Sequence, residues 1–162
     1  MEAERETLTW SGFGEASRQL GADIVASGYR PDLILSIARG GLFIAGALGY
    51  ALGIKNLHVM NIEFYTDVDE RLPLPIMLPP VPQEIDLKEK SVLCVDDVAD
   101  TGGTLKLVRD YCAGRVRQIR IAVLYQKPTS AVDCDYVWRH TDHWIAFPWS
   151  SQPPLVAGAS QY

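Results

Sequence analysis

With 162 residues, 48% hydrophobic and 22% charged, the chain has the size and make-up of one globular domain able to bury a real core. A formal charge of −5 argues against a general nucleic-acid or anionic-membrane binder. No apolar stretch is long enough to span a bilayer, and the charged first residues are unlike a signal peptide. Cys94, Cys112 and Cys134 are odd in number and widely spaced, which reads as three reduced thiols in a cytoplasmic protein.

Thr9 or Ser11 is expected to cap a helix running to about residue 27, with Phe13, Ala16, Leu20 and Ile24 at helical spacing and Gly28 as the stop. Trp10 is expected to pack rather than to bind. Residues 32–37 (DLILSI) read as a strand, followed by Ala38-Arg39-Gly40-Gly41 and an apolar helix over 42–52 closed by Gly53. Residues 57–65 (LHVMNIEFY) read as the next strand, with His58 a structural residue at its start. From 66 to 90 the chain carries acids, Arg71 and five prolines between Pro73 and Pro82. A structureless loop of that length is uncommon in a compact domain unless it is functional or disordered.

Val92, Leu93, Cys94 and Val95 form an apolar run suited to a strand buried on both faces, and Asp96 and Asp97 stand where that strand would leave the sheet. Asp100-Thr101-Gly102-Gly103-Thr104 follows, then a helix from Leu105 to about Cys112, ended by Gly114. Residues 118–125 (QIRIAVLY) read as a strand with Gln126-Lys127-Pro128 after it, and residues 135–139 (DYVWR) as a last short strand. His140 and His143 have an H-x-x-H spacing, but no third ligand is in view and no zinc site is expected. Strands alternating with helices from 32 to 125 describe a doubly wound, mainly parallel α/β sheet, which binds ligands at the carboxyl ends of its strands.

Two strand–glycine–helix units carry chemistry. The turn at 100–104 offers backbone N–H groups, a positive helix end and the hydroxyls of Thr101 and Thr104 to an anion, usually phosphate. Asp96 and Asp97 repel each other and any phosphate nearby. They make sense if they accept hydrogen bonds from vicinal sugar hydroxyls or hold Mg²⁺. A phosphate, a diol and a metal within a few residues describe a ribose 5-phosphate. At the other unit, the Arg39 guanidinium and the amides of Gly40 and Gly41 can converge on a second anion.

DDVADTGGT after four hydrophobic residues resembles the phosphoribosyl pyrophosphate (PRPP) signature of type I phosphoribosyltransferases. ARGG resembles the pyrophosphate-binding loop of the xanthine–guanine enzymes, a loop that in the family often holds a non-proline cis peptide. Arg71, six residues after Tyr65, resembles their lid arginine, although the proline richness departs from them and implies a stiffer lid over about 66–90. Lys127 before a proline is similar to the lysine that donates to the 6-oxo oxygen of a purine. Asp142, Trp144, Ile145, Pro148 and Trp149 match the D-x-W-I-x-x-P-W ending of the xanthine–guanine enzymes.

The resemblance implies a single phosphoribosyltransferase domain over 1–162, with a small hood formed by the chain ends. The base-binding segment would be about 127–149, and 150–162 a loose tail or subunit contact. It implies transfer from PRPP to N9 of a 6-oxopurine (guanine, xanthine or hypoxanthine), releasing pyrophosphate, with Mg²⁺ at Asp96 and Asp97. Arg39, Gly40, Gly41, Asp96, Asp97 and residues 100–104 (Asp100, Thr101, Gly102, Gly103, Thr104) would bind PRPP. Asp100 and Arg71 would be catalytic, Asp100 by facing N7 of the base. Trp144 would stack on the purine, and Ile145 would meet its edge through backbone atoms. Trp149 is expected to be structural. The partners implied are PRPP and a purine, with no nucleic acid or membrane, in a cytoplasmic homo-oligomer (dimer or tetramer). A non-catalytic PRPP sensor and an enzyme for a modified purine or another base remain open alternatives.

Overall fold

The computed structural model describes residues 4–65, 74–78 and 82–159. The central sheet has six strands, β2 (Leu33–Ala38), β3 (Leu57–Tyr65), β4 (Leu74–Leu78), β5 (Ser91–Ala99), β6 (Gln118–Gln126) and β7 (Tyr136–His140), in the order β4-β3-β2-β5-β6-β7. All neighbours are parallel except β4, which runs antiparallel along the edge of β3. A second sheet pairs two short strands from opposite ends of the chain, β1 (Arg5–Thr7) and β8 (Trp144–Ala146).

Helices cover both faces. On one face, α1 (Trp10–Ala26) and α2 (Gly41–Leu52) bury Ala16, Leu20, Ile24, Ile44, Ala45 and Leu48 against Leu93, Val95, Ala122 and Leu124. On the other, Leu87 of α3 (Glu84–Leu87) and Leu105, Val108 and Cys112 of α4 (Gly103–Cys112) meet Val92, Cys94, Ile121 and Val123. Alternate residues of β5 and β6 thus enter opposite cores, which is why the strand at 92–95 reads as an unbroken apolar run. Thr9, not Ser11, caps α1, its hydroxyl accepting from the Gly12 N–H at 3.0 Å.

Most boundaries fall within a residue of the sequence reading, and three differences are larger. β5 continues through both acids to Ala99, with Asp96 opposite Val123 and Val98 opposite Tyr125, because pairing with β6 outlasts the apolar run. The helix after the glycines starts at Gly103 rather than Leu105, Gly102 taking a left-handed φ of 84° just before it. Residues 66–90 are not one structureless loop. Residues 74–78 form β4, where Pro75 is tolerated because an edge strand has a side without a ladder partner, and residues 84–87 form α3. Arg71 and the residues beside it lie outside the described residues, as do residues 79–81.

Cys94 and Cys112 are buried free thiols and Cys134 is partly buried. Burial pushes the Cys94 thiol well up, Cys112 to about 11 and Cys134 to about 12, so none is poised for thiolate chemistry. No helix among the described residues is long and apolar enough to cross a membrane.

Candidate active site

The chain moves outward from β2 to β3 and β4, then returns to lay β5 on the other side of β2. The switch in strand order therefore falls between β2 and β5, where open α/β sheets form a crevice. A cleft of about 1540 Å³ opens there. Arg39, Gly40, Asp96, Asp97, Asp100, Thr104, Lys127, Trp144 and Ile145 all line it.

The loop after β2 is pressed against the end of β5. A Cβ on Gly40 would collide with the carboxylate of Asp97, and one on Gly41 would stand 2.6 Å from the Val95 carbonyl oxygen. The glycines thus admit the close approach of this loop to β5, in addition to baring amides. The Ala38–Arg39 peptide is cis. Each acid accepts from the N–H that follows it: Asp97 N–H donates to Asp96 Oδ1 at 2.9 Å and Val98 N–H to Asp97 Oδ1 at 2.8 Å. Burial raises both carboxyls above the ordinary range, and for Asp96 the neighbouring Asp97 charge raises it further.

This pair suits a hard divalent cation in one specific way. Among the described residues no cluster of three or more metal-binding side chains exists, so Asp96 and Asp97 would hold such an ion with one or two carboxylates, and substrate and water oxygens would complete it. That is how Mg²⁺ is commonly bound beside phosphates.

Beyond the acids, the Thr101 hydroxyl accepts from the Gly103 N–H at 3.4 Å. Gly102, the residue before α4, supplies no side-chain cap, so the positive end of the helix lies within the turn at 100–104. At the neighbouring strand end, Lys127 is only 15% exposed. Its Nζ lies 3.8 Å from Asp100 Oδ1 and 5.6 Å from the centroid of the Trp144 ring. Trp144 is half exposed, whereas the Ile145 side chain is buried in the core.

β8 is held by β1, with Glu6 opposite Ile145 and the Leu8 N–H donating to the Ala146 carbonyl at 3.0 Å. Arg139 pairs with Glu6 at 3.1 Å, and His143 with Glu4 at 3.1 Å. Trp149 stacks between Phe43 and Phe147, at 4.5 Å and 4.8 Å between ring centroids, with Trp10 and Phe13 at its edges.

Residues 6–153 match the phosphoribosyl transferase domain family. The chain belongs to this family. It is 37% identical to a purine phosphoribosyltransferase from Pyrococcus horikoshii, whose crystal structure superposes with a TM-score of 0.83 over 94% of this chain and 98% of that one. A xanthine-guanine phosphoribosyltransferase from Gluconobacter oxydans is 29% identical, over 93% of this chain and 87% of its own length. A protein from Neisseria gonorrhoeae crystallised with ppGpp shares the fold at 22% identity and a TM-score of 0.81, over 93% of this chain and 91% of that one.

As a phosphoribosyl transferase, the chain brings most of the residues singled out from its sequence into one cleft. Sequence reasoning missed Asn61 and Glu63 at the end of β3, and Phe43 and Phe147, which also line it. Period-two alternation along β3 could have marked the first two, while nothing local marks the phenylalanines. The segment after Trp149 lines the cleft as well, through Ser150, Gln152 and residues 153–156, with Leu155 and Val156 exposed.

Proposed function

We propose that the chain transfers the 5-phosphoribosyl group from PRPP to N9 of a 6-oxopurine, giving the nucleoside 5′-monophosphate and pyrophosphate. The observation that carries this reading is the seat of Lys127, between the Asp100 carboxylate and the Trp144 ring in the cleft that also holds the acid pair. An ammonium donates only, so at this spot it favours a base with an acceptor at position 6. Trp144 offers a stacking face to any purine.

The residues divide the work. The turn at 100–104, with Asp100, Thr101, Gly102, Gly103 and Thr104, holds the 5-phosphate on backbone N–H groups at the start of α4. Asp96 and Asp97 hold the ribose hydroxyls and would carry Mg²⁺. When bound, Mg²⁺ supplies positive charge that offsets the leaving pyrophosphate and the repulsion between the two acids. Arg39 and the Gly40 and Gly41 amides take the pyrophosphate oxygens, joined by Arg71. As the bond from C1 to pyrophosphate breaks, positive charge grows on the ribose, as in other glycosyl transfers. Asp100 accepts the N7 proton while N9 attacks, with Lys127 on the 6-oxo oxygen and the Ile145 backbone at the base edge.

The whole chain works as a single domain, in the cytoplasm. Its self-association is supported by α2, which carries no charged residue and exposes Tyr50 away from the cleft. Steady-state turnover with PRPP and Mg²⁺ against guanine, xanthine, hypoxanthine and adenine tests the assignment. Turnover of the three 6-oxopurines with poor use of adenine is expected. PRPP binding without turnover of any base would overturn it in favour of a sensor.

A further inference from the structure

The Lys127 turn and the 100–104 turn come from different strands, yet they are joined rung by rung. Three successive carbonyls of one accept from three alternate residues of the other. The Lys127 N–H donates to the Ala99 carbonyl at 2.9 Å, the Thr129 hydroxyl to the Asp100 carbonyl at 2.9 Å, and the Ala131 N–H to the Thr101 carbonyl at 2.8 Å. A tight turn aims the middle donor. The Ser130 N–H bonds back to the Lys127 carbonyl at 3.0 Å, with Pro128 in the position where proline presets a turn. On the facing side, a Cβ at Gly102 would come within 2.9 Å of the Ala131 and Val132 nitrogens and of Ser130 Oγ. The two turns therefore fit backbone on backbone, and the Lys127–Asp100 ion pair spans the same seam.

We infer that Thr129 is a positioning residue that couples occupancy of the phosphate turn to the base-recognising lysine, an inference that rests on the roles proposed above for Lys127 and the turn at 100–104. The two outer rungs are backbone N–H groups that any sequence supplies. The middle rung alone depends on a side chain. A 5-phosphate held by the N–H groups of 100–104 fixes the carbonyls on the other side of those peptides. Through the Thr129 hydroxyl, it fixes the turn that carries Lys127. Ordering one turn lowers the cost of ordering the other, so each ligand tightens the other by the same factor.

Ribose 5-phosphate and hypoxanthine test this, because together they fill both subsites and lack the pyrophosphate needed to react. Calorimetric titration of hypoxanthine into the wild-type protein, with and without saturating ribose 5-phosphate and Mg²⁺, is expected to show roughly five-fold or greater tightening, the lower end of usual coupling between sites. In Thr129→Val the tightening should fall below about two-fold, the affinity for ribose 5-phosphate alone changing less than about two-fold, while Thr129→Ser keeps most of the coupling. Undiminished coupling in Thr129→Val overturns the inference, and so does a loss in Thr129→Ser equal to that in Thr129→Val, which would mark packing of the methyl group instead. Wild-type protein that binds both ligands independently overturns the coupling alone. Wild-type protein that binds neither overturns the subsite roles on which it rests.

Discussion

The carboxylate of Asp97 occupies the space in which a side chain on Gly40 would stand. Gly40 itself has an ordinary helical φ of −55°, so the demand for glycine there comes from the neighbour and not from the backbone. Gly40→Ala should therefore act by displacing Asp97, with overpacking of about 1–3 kcal/mol seen as a lower melting temperature and a large fall in kcat/KM for PRPP. Adding Asp97→Ala to Gly40→Ala should recover the melting temperature and leave the activity lost. Steady-state kinetics and thermal melts of the single and double variants check both halves.

The acid pair should be costly to the ligand-free fold. A carboxyl whose pKa is raised by folding contributes stability below its unfolded pKa, and that contribution is lost as pH rises through the raised folded value. Both Asp96 and Asp97 are raised, so the ligand-free protein gives up stability as the pH climbs above the ordinary carboxylate range. An asparagine keeps an oxygen for the N–H that each acid now accepts from. Asp96→Asn with Asp97→Asn should lower kcat/KM by about a hundred-fold or more while holding or raising the melting temperature, by roughly 2–4 °C per kcal/mol relieved. Near wild-type turnover would remove these acids from the mechanism.

Lys127 and Trp144 should fail differently. Leaving the Lys127 ammonium unpaired against adenine costs about 1–3 kcal/mol, or about ten- to a hundred-fold in discrimination. Lys127→Ala should narrow the gap between guanine and adenine, whereas Trp144→Ala should weaken all bases alike. The measurement is kcat/KM for four bases in three proteins. Efficient wild-type use of adenine would contradict the 6-oxopurine assignment.

Trp149 joins α1 and α2 to the segment after β8 through its stack with Phe43 and Phe147. Trp149→Ala should cost about 3 kcal/mol or somewhat less, because the site is only partly buried, and a urea melt reads it directly. Trp149→Phe should restore most of the loss.

Legibility followed the physics of each segment. Residues 92–95 announced a strand because β5 is covered on both faces, but the two acids hid its last rungs, since charged residues normally end a buried run. Pro75 concealed β4, where an edge position tolerates it. β1 was illegible because three residues facing mostly solvent carry no alternation, and their partner lies near the other end of the chain. Lys127 and Trp144 were legible as motif residues, whereas Thr129 was not. Its hydroxyl matters only once two turns distant in sequence lie side by side.

The pairing of Arg5 with Trp144 sets an order of assembly. Strands β2 to β6 can form their ladders as they leave the ribosome, each finding a partner already made or soon to follow. β1 is made before all of these but must wait for β8, because β8 is the strand it pairs with. Its sequence, Arg5-Glu6-Thr7, suits such a wait: three polar residues expose little that could aggregate. The phosphate end of the cleft can thus be built on the nascent chain before the stacking face of Trp144 is fixed, since that face waits for β8 to meet β1.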